Sequence, residues 1–290
     1  MAQLLLRGTV LGEVRAVLFD KDGTLSISEP ELITLAEARV FLCVEQVPQP
    51  LRAELRSLLL RAYGLHESGD NTGASRICPA GITAVASRDH NLIATATALV
   101  QVGLGWPEAL SLSEQVFAEA DQADARRALA RPSTSALARP SPGSGGEATH
   151  LDSGGRATGG TSITTEGLIP WLEQLRAASV ACAVISNDDV AGIEHFLASH
   201  GLAPYFAAIW SAEHRPRKPD PAAVHGLCEQ LGISASDCAL IGDANSDLRM
   251  AVAAGIPHQR ALGYTAAWST PPPLAEPHPL VHHWRELSLA

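Results

Sequence analysis

Two aspartates separated by a single residue, Asp20 and Asp22, close an apolar run and are followed by Gly23 and Thr24 in the stretch VLFDKDGTL at 17–25. Other polar residues also follow apolar runs: Ser186 and Asn187 in ISN, Lys218 in RPRKPDP, Asp243 and Asp247 in GDANSD. Each has an ordinary structural reading. Asp and Gly form turns, serine caps helices, a carboxylate in a first helical turn faces the macrodipole, and a lone lysine is a solvated charge. Gathered at one place, the same residues do chemistry. Carboxylates brought together repel unless a cation joins them. Oxygen ligands with no His or Cys nearby suit a hard ion, most simply Mg²⁺.

For these residues to meet, the runs before them must be neighbouring strands. Residues 14–19 are apolar except for Arg15, as in a strand buried on both faces. From Gly167 the pattern alternates: helix 170–179, strand 180–185, helix 189–200, strand 206–210, helix 221–231, strand 238–241 and helix 247–254, with Gly201, Gly232 and Gly255 as stops. This alternation predicts right-handed crossovers and an α/β fold, a Rossmann-like three-layer core around a parallel sheet. Ligands of open parallel sheets sit beyond the carboxyl ends of the strands. Asp20, Asp22, Thr24, Ser186, Asn187, Lys218, Asp243 and Asp247 all fall there.

Between the first strand and the rest, residues 26–130 read as an all-helical insertion, with helices at 31–44, 51–63, from Ser87 to Gly103, and from Trp106-Pro107 to about 130. Residues 131–164 are dominated by Gly, Ser, Thr, Pro and Ala and read as a flexible linker. The expected division is therefore a core of 1–25 and 165–290, a helical unit of 26–130, and the linker.

The remaining composition narrows the partners. An apolar content of 46% over 290 residues supports a sizeable core. The formal charge is 21 − 31 = −10 with no Lys/Arg-rich run, which argues against nucleic acid or an anionic membrane as the main partner. The five cysteines are scattered, never in a CxxC pair, and read as buried small residues in a reducing compartment. The apolar patch near the N-terminus is broken by Arg7 and Gly8, too short for a signal peptide or a membrane span, so a soluble cytoplasmic protein is expected.

DKDGTL at 20–25, ISN at 185–187, KPDP at 218–221 and GDANSD at 242–247, in that order, make the chain resemble the haloacid dehalogenase superfamily, in its phosphatase branch. The resemblance covers residues 13–25 and 165–265, and the insertion after the first motif looks like that superfamily's helical cap. It implies a Mg²⁺-dependent phosphatase acting on a small-molecule phosphate monoester, similar to phosphoglycolate phosphatases, through an aspartyl-phosphate. Asp20 would be the nucleophile and Asp22 the acid and then the base. Ser186, Asn187 and Thr24 would serve the phosphoryl group, Thr24 also by supporting Asp20, and Lys218 would neutralise charge. Mg²⁺ would be held by Asp20, Asp243 and the backbone carbonyl of Asp22, with Asp247 direct or through water.

Three competitors are weighed. Dehalogenation needs no acid at position 22, so Asp22 disfavours it. A sugar-phosphate phosphomutase would use the same motifs and stays open. A non-enzymatic phospho-ligand binding protein would be expected to lack Asp20, Asp22, Lys218 or Asp243, and all are present. Among weaker signals, Arg76, Arg88, His66 and His90 lie in the insertion, where a substrate's remote group should be read. Lys21 reads as a packing or solvent-facing stem, and His282-His283 as solvent-facing. Substrate identity and oligomeric state stay open.

Overall fold

A computed structural model describes residues 2–66, 75–129, 163–274 and 277–290. The chain opens with a hairpin, β1 (Ala2–Leu6) and β2 (Thr9–Val14), and passes directly into β3 (Ala16–Phe19). After β4 (Ser26–Ile27) come α1 (Glu29–Glu45), α2 (Gln49–Tyr63), the two-residue strands β5 (Leu65–His66) and β6 (Arg76–Ile77), α3 (Ile82–Val85), α4 (Arg88–Gln101) and α5 (Trp106–Leu129). Then follow β7 (Ile163–Thr164), α6 (Leu168–Ala177), β8 (Ala181–Ile185), α7 (Val190–Ser199), β9 (Phe206–Trp210), α8 (Pro221–Leu231), β10 (Cys238–Gly242), α9 (Asn245–Ala253), β11 (Ala261–Tyr264), β12 (Leu280–Val281) and β13 (Leu287–Leu289).

Six strands form one parallel sheet in the order β12-β11-β10-β3-β8-β9. Strand β3 is fully buried, and its alternate residues feed two cores, because successive side chains leave a strand on opposite faces. Val17 and Phe19 pack with Trp171 and Leu175 of α6 and Ile193 and Phe196 of α7. Ala16 and Leu18 pack with Val224 and Leu227 of α8 and Leu248 and Ala251 of α9. From β3 the chain builds outward through β8 to β9, then returns to the other side of β3 with β10. This reversal opens a crevice at the carboxyl ends of β3 and β10, the place where open α/β sheets take their ligands.

Local signals in the sequence account for the ends of these elements. Helix α2 stops at Gly64, which takes a left-handed φ of 71°. Helix α8 starts at Asp220, whose carboxylate accepts from Ala222 N, with Pro221 in the first turn. Asp189 caps α7 in the same way through Gly192 N.

The structure adds one sheet that the sequence reading did not foresee and corrects two expectations. Strands β1 and β2 precede the first strand that the sequence reading recognised. With β13 they form a second, antiparallel sheet, β13-β1-β2, which buries Leu4, Leu6 and Val14. The helical insertion is not purely helical: β5 pairs with β6, and β4 pairs with β7. That last pair also moves the end of the expected linker, since Thr164 lies opposite Ser26, and Ile163 opposite Ile27. The short ladder ties the chain where it enters the helical segment to the chain where it returns, a long-range pairing that composition does not reveal. Thr165 extends the tie, its N–H donating to Leu25 O and its hydroxyl to Thr24 O. Residues 131–162 of the expected linker lie outside the described residues.

Candidate active site

Four loops at the carboxyl edge build the site. Asp20 leaves β3 with its N–H still bonded to Ile241 O at 2.9 Å, which pins the strand end beside β10. The chain then turns at Gly23, with φ of 78°. A Cβ there would collide with the Asp243 carboxylate and the Trp268 indole, so only glycine admits their approach to this backbone. Lys218, from the loop between β9 and α8, is buried and donates to Asp20 Oδ1 and Asp247 Oδ1, each at 2.7 Å, and to Ile185 O at 3.3 Å.

Asp20, Asp243 and Asp247 are all buried, and each turns one oxygen to within 4.8 Å of the others. Burial pushes the Asp20 carboxyl up to about 6; Lys218 opposes the rise, and Asp247 and Asp22 add to it. Burial, then Asp20 and Asp247, push Asp243 well above the ordinary carboxylate range. Burial alone would lower Lys218, but Asp20 and Asp247 outweigh it and hold its ammonium above its usual value. Three carboxylates therefore face one ammonium in a water-poor place, and the excess is negative. An all-oxygen donor set with that excess charge fits a hard divalent cation. Trp268 Nε1 donates to Asp243 Oδ2 at 2.6 Å and fixes which way that carboxylate faces.

Asp22 stands apart from this trio. Its Oδ1 takes hydrogen bonds from Lys21 Nζ at 2.8 Å, from Ser26 Oγ at 3.3 Å, and from Ser28 Oγ. Burial would raise its carboxyl, but the Lys21 ammonium and these hydroxyls more than offset that and hold it below its ordinary value. Lys21 itself corrects the sequence reading. Rather than pointing to solvent, it is 7% exposed, and its Nζ bridges Asp22 to Asp188 at 3.0 Å, 5.7 Å from the centre of the Phe196 ring. Nothing in the residue order marks this, because a lysine between two aspartates can point either way.

The phosphate-binding candidates divide. Ser186 is buried at the end of β8, and its hydroxyl accepts from Asp188 N at 3.1 Å. Asn187 donates from Nδ2 to Val85 O of α3 at 3.1 Å, while its Oδ1 is buried with no hydrogen-bond partner among the described residues. Thr24 does not join them. Its side chain is fully buried, its hydroxyl has no hydrogen-bond partner among the described residues, and it is absent from the wall of the cavity. The turn at Gly23 carries the following residue out of the cavity wall, and its carbonyl accepts from the Thr165 hydroxyl instead.

These residues open on a cavity of about 930 Å³. Asp20, Asp22, Ser186, Asn187, Lys218, Asp243 and Asp247 line one side, and residues of α1, α4, α5 and the α3–α4 segment line the other. Arg88 is among the latter, and His66, Arg76 and His90 are not. Arg217 Nη1 and Asp89 Oδ2, 2.9 Å apart, and the Asn187–Val85 bond join the two sides. The sequence reading missed Lys21, Ser28, Trp268 and Arg39 as site residues; their one common signal is a polar or indole group buried next to a carboxylate, visible only in three dimensions. His282 is exposed, with its Nδ1 2.7 Å from Thr265 Oγ1.

A phosphoglycolate phosphatase of Photobacterium profundum is 28% identical over 114 residues, 39% of this chain and 48% of that protein. One from Thiobacillus denitrificans is 34% identical over 93 residues, 32% of this chain and 41% of that protein. The chain thus spans about half the length of the curated relatives it matches. The structure of a predicted phosphoglycolate phosphatase from Haemophilus somnus 129pt superposes with a TM-score of 0.59 at 18% identity, covering 93% of this chain and 95% of that one, which shows the shared fold. No helix among the described residues is long and apolar enough to cross a membrane. Residues 14–255, which include the Asp20 turn, the helical insertion and the Asp243–Asp247 segment, match the profile of the haloacid dehalogenase-like hydrolases, and the chain belongs to that family.

Proposed function

We propose that the protein is a phosphatase that hydrolyses a small phosphate monoester, similar to phosphoglycolate phosphatases, with Mg²⁺ bound by Asp20, Asp243 and Asp247. The observation that carries this reading is the trio of buried carboxylates around Lys218, with a separately held carboxylate, Asp22, beside it. A bound Mg²⁺ would offset the charge of the incoming phosphate and lower the Asp20 carboxyl into its ionised form.

Asp20 is the nucleophile: one oxygen attacks phosphorus, the ester oxygen leaves, and an aspartyl-phosphate forms. Lys218, already bonded to Asp20 Oδ1, orients that carboxylate and balances the charge it shares with the phosphoryl oxygens. Ser186 and Asn187 hold the phosphoryl oxygens, Ser186 through its hydroxyl and Asn187 through Nδ2, which would exchange its bond to Val85 O for one to the phosphoryl group. Asp22 handles the protons. Held by Lys21 as a carboxylate, it is in the form that takes a proton from the water attacking the aspartyl-phosphate. To protonate the departing alcohol it must first leave Lys21 and Ser28 and take up a proton from solvent, which it passes to the ester oxygen, returning to the carboxylate that then takes a proton from the attacking water.

The test is release of inorganic phosphate from a panel of small phosphate esters with Mg²⁺ present. Turnover of at least one ester, lost in EDTA and recovered on adding Mg²⁺, is the expected result. Full activity in EDTA would refute the metal, and interconversion of sugar phosphates without phosphate release would establish a mutase instead.

A further inference from the structure

Across the cavity from Asp20, three helices place two guanidinium groups on one aromatic ring. Arg39 of α1 lies with its guanidinium carbon 3.8 Å from the centre of the Phe117 ring, and Arg88, the first residue of α4, lies 5.3 Å from it. Both reach one carboxylate of α5: Arg39 Nη2 to Asp121 Oδ1 at 3.1 Å and Arg88 Nε to Asp121 Oδ2 at 2.8 Å. Arg39, Arg88 and Asp121 all line the cavity. One carboxylate cannot neutralise two guanidiniums or occupy all their donors. Arg39 is 5% exposed, and its Nε is buried with no hydrogen-bond partner among the described residues.

A buried, unpaired guanidinium N–H is costly. A purely structural tie between helices would be better served by one arginine per carboxylate. Elsewhere in the wall Arg217 pairs with Asp89, Lys21 with Asp22 and Asp188, and Lys218 with Asp20 and Asp247, whereas Arg39 and Arg88 share the one carboxylate of Asp121. Both guanidiniums lie over the Phe117 ring, and a planar fork of donors matches a carboxylate or a phosphoryl group.

We propose that Arg39 and Arg88 form a second anion-binding subsite, and that the substrate is a phosphate monoester carrying another anionic group, a carboxylate or a second phosphoryl group, at its far end. The proposal rests on the phosphatase reading for the position of the first phosphoryl group. It assigns the recognition of the remote group to these two arginines, with Asp121 as the residue that positions them.

Non-hydrolysable ligands separate this proposal from the reading beneath it. Ethylphosphonate, phosphonoacetate and ethane-1,2-bisphosphonate would be titrated calorimetrically into the full chain in the presence of Mg²⁺. The first carries only the reacting group, the second adds a carboxylate, and the third adds another phosphonate. At least one doubly anionic ligand is expected to bind about tenfold more tightly than ethylphosphonate, as for one charge-assisted hydrogen-bonded contact. That preference should shrink to about twofold in Arg39→Gln and in Arg88→Gln. Arg88 is exposed, so Arg88→Gln keeps the test available even if the Arg39 variant fails to fold. Equal binding of all three ligands by the wild type, or a preference that survives both substitutions, overturns the subsite. An equal loss for all three ligands in both variants assigns the arginines to helix packing and also overturns it. Failure of every ligand to bind the wild type would instead count against the phosphatase reading, and the subsite would fall with it.

Discussion

The ammonium of Lys21 lies 2.8 Å from Oδ1 of Asp22 and is nearly closed off from solvent. It also bridges to Asp188, so one cation compensates two carboxylates at the wall of the cavity. Lys21→Met leaves both without it. Breaking a buried pair by removing one partner costs about 3 kcal/mol at the lower end of its range, the end that suits the partial exposure of Asp22 and Asp188. Urea denaturation of the variant should show that loss, and a change below about 0.5 kcal/mol, typical of surface substitutions, would show that Lys21 is not the clamp.

Under the proposed mechanism the two carboxylates of the first turn have separable roles. Asp20→Asn removes the nucleophile, so neither turnover nor a phosphorylated protein should survive. Asp22→Asn spares the attack but impairs proton transfer, and with p-nitrophenyl phosphate, whose leaving group needs little protonation, the aspartyl-phosphate should accumulate. Intact-protein mass spectrometry would detect the added phosphoryl group. Finding the label on Ser186 would show that the nucleophile is misassigned.

The buried carboxylate cluster should make stability depend on pH and metal together. Asp20 is raised from 3.8 to about 6, and Asp243 is raised as well. The native protein therefore keeps protons that the unfolded chain has already released. The contribution of Asp20 is complete below about pH 4 and is lost as pH rises through about 6, and Asp243 contributes in the same direction. In EDTA, stability from this source should fall across that window. Mg²⁺ at 100 times its Kd should add about 2.7 kcal/mol, and only at the higher pH. A Mg²⁺-induced rise in Tm that is the same at pH 4.5 and pH 7.5 would contradict this account.

If Asp243 holds the metal as proposed, Trp268 acts on that site through it. Trp268→Phe keeps the ring and deletes the N–H that donates to Asp243 Oδ2. Loss of such an outer contact weakens metal binding by roughly tenfold or more. The readout is the Mg²⁺ concentration needed to raise Tm, compared between the variant and wild type. An unchanged midpoint would leave Trp268 as a packing residue only.

Much of the core was legible before the structure. Strand 206–210 and helix 221–231 have the bounds that the apolar runs and the Asp220, Pro221 and Gly232 signals imply. The motifs also placed Asp20, Ser186, Lys218 and Asp243 at strand ends or in the loops that follow. The N-terminal hairpin and the β4–β7 pair were not legible. Both depend on partners far along the chain: β1 on Leu287–Leu289, and Ser26 on Thr164.

The amino-acid order by itself determined which residues can react and which edge of the sheet they occupy. Strand period, helix stops and the residue after each strand are local properties, and the parallel crossover rule does the rest. Only the tertiary structure decided where neighbouring side chains point and what they meet. It turned Lys21 inward to Asp22 and Asp188, sent Thr24 out of the cavity, set Trp268 against Asp243, and stacked Arg39 and Arg88 on Phe117. Each outcome depends on the close approach of segments distant in the chain, and the burial that approach creates decides whether a charge is a solvated surface group or part of a site.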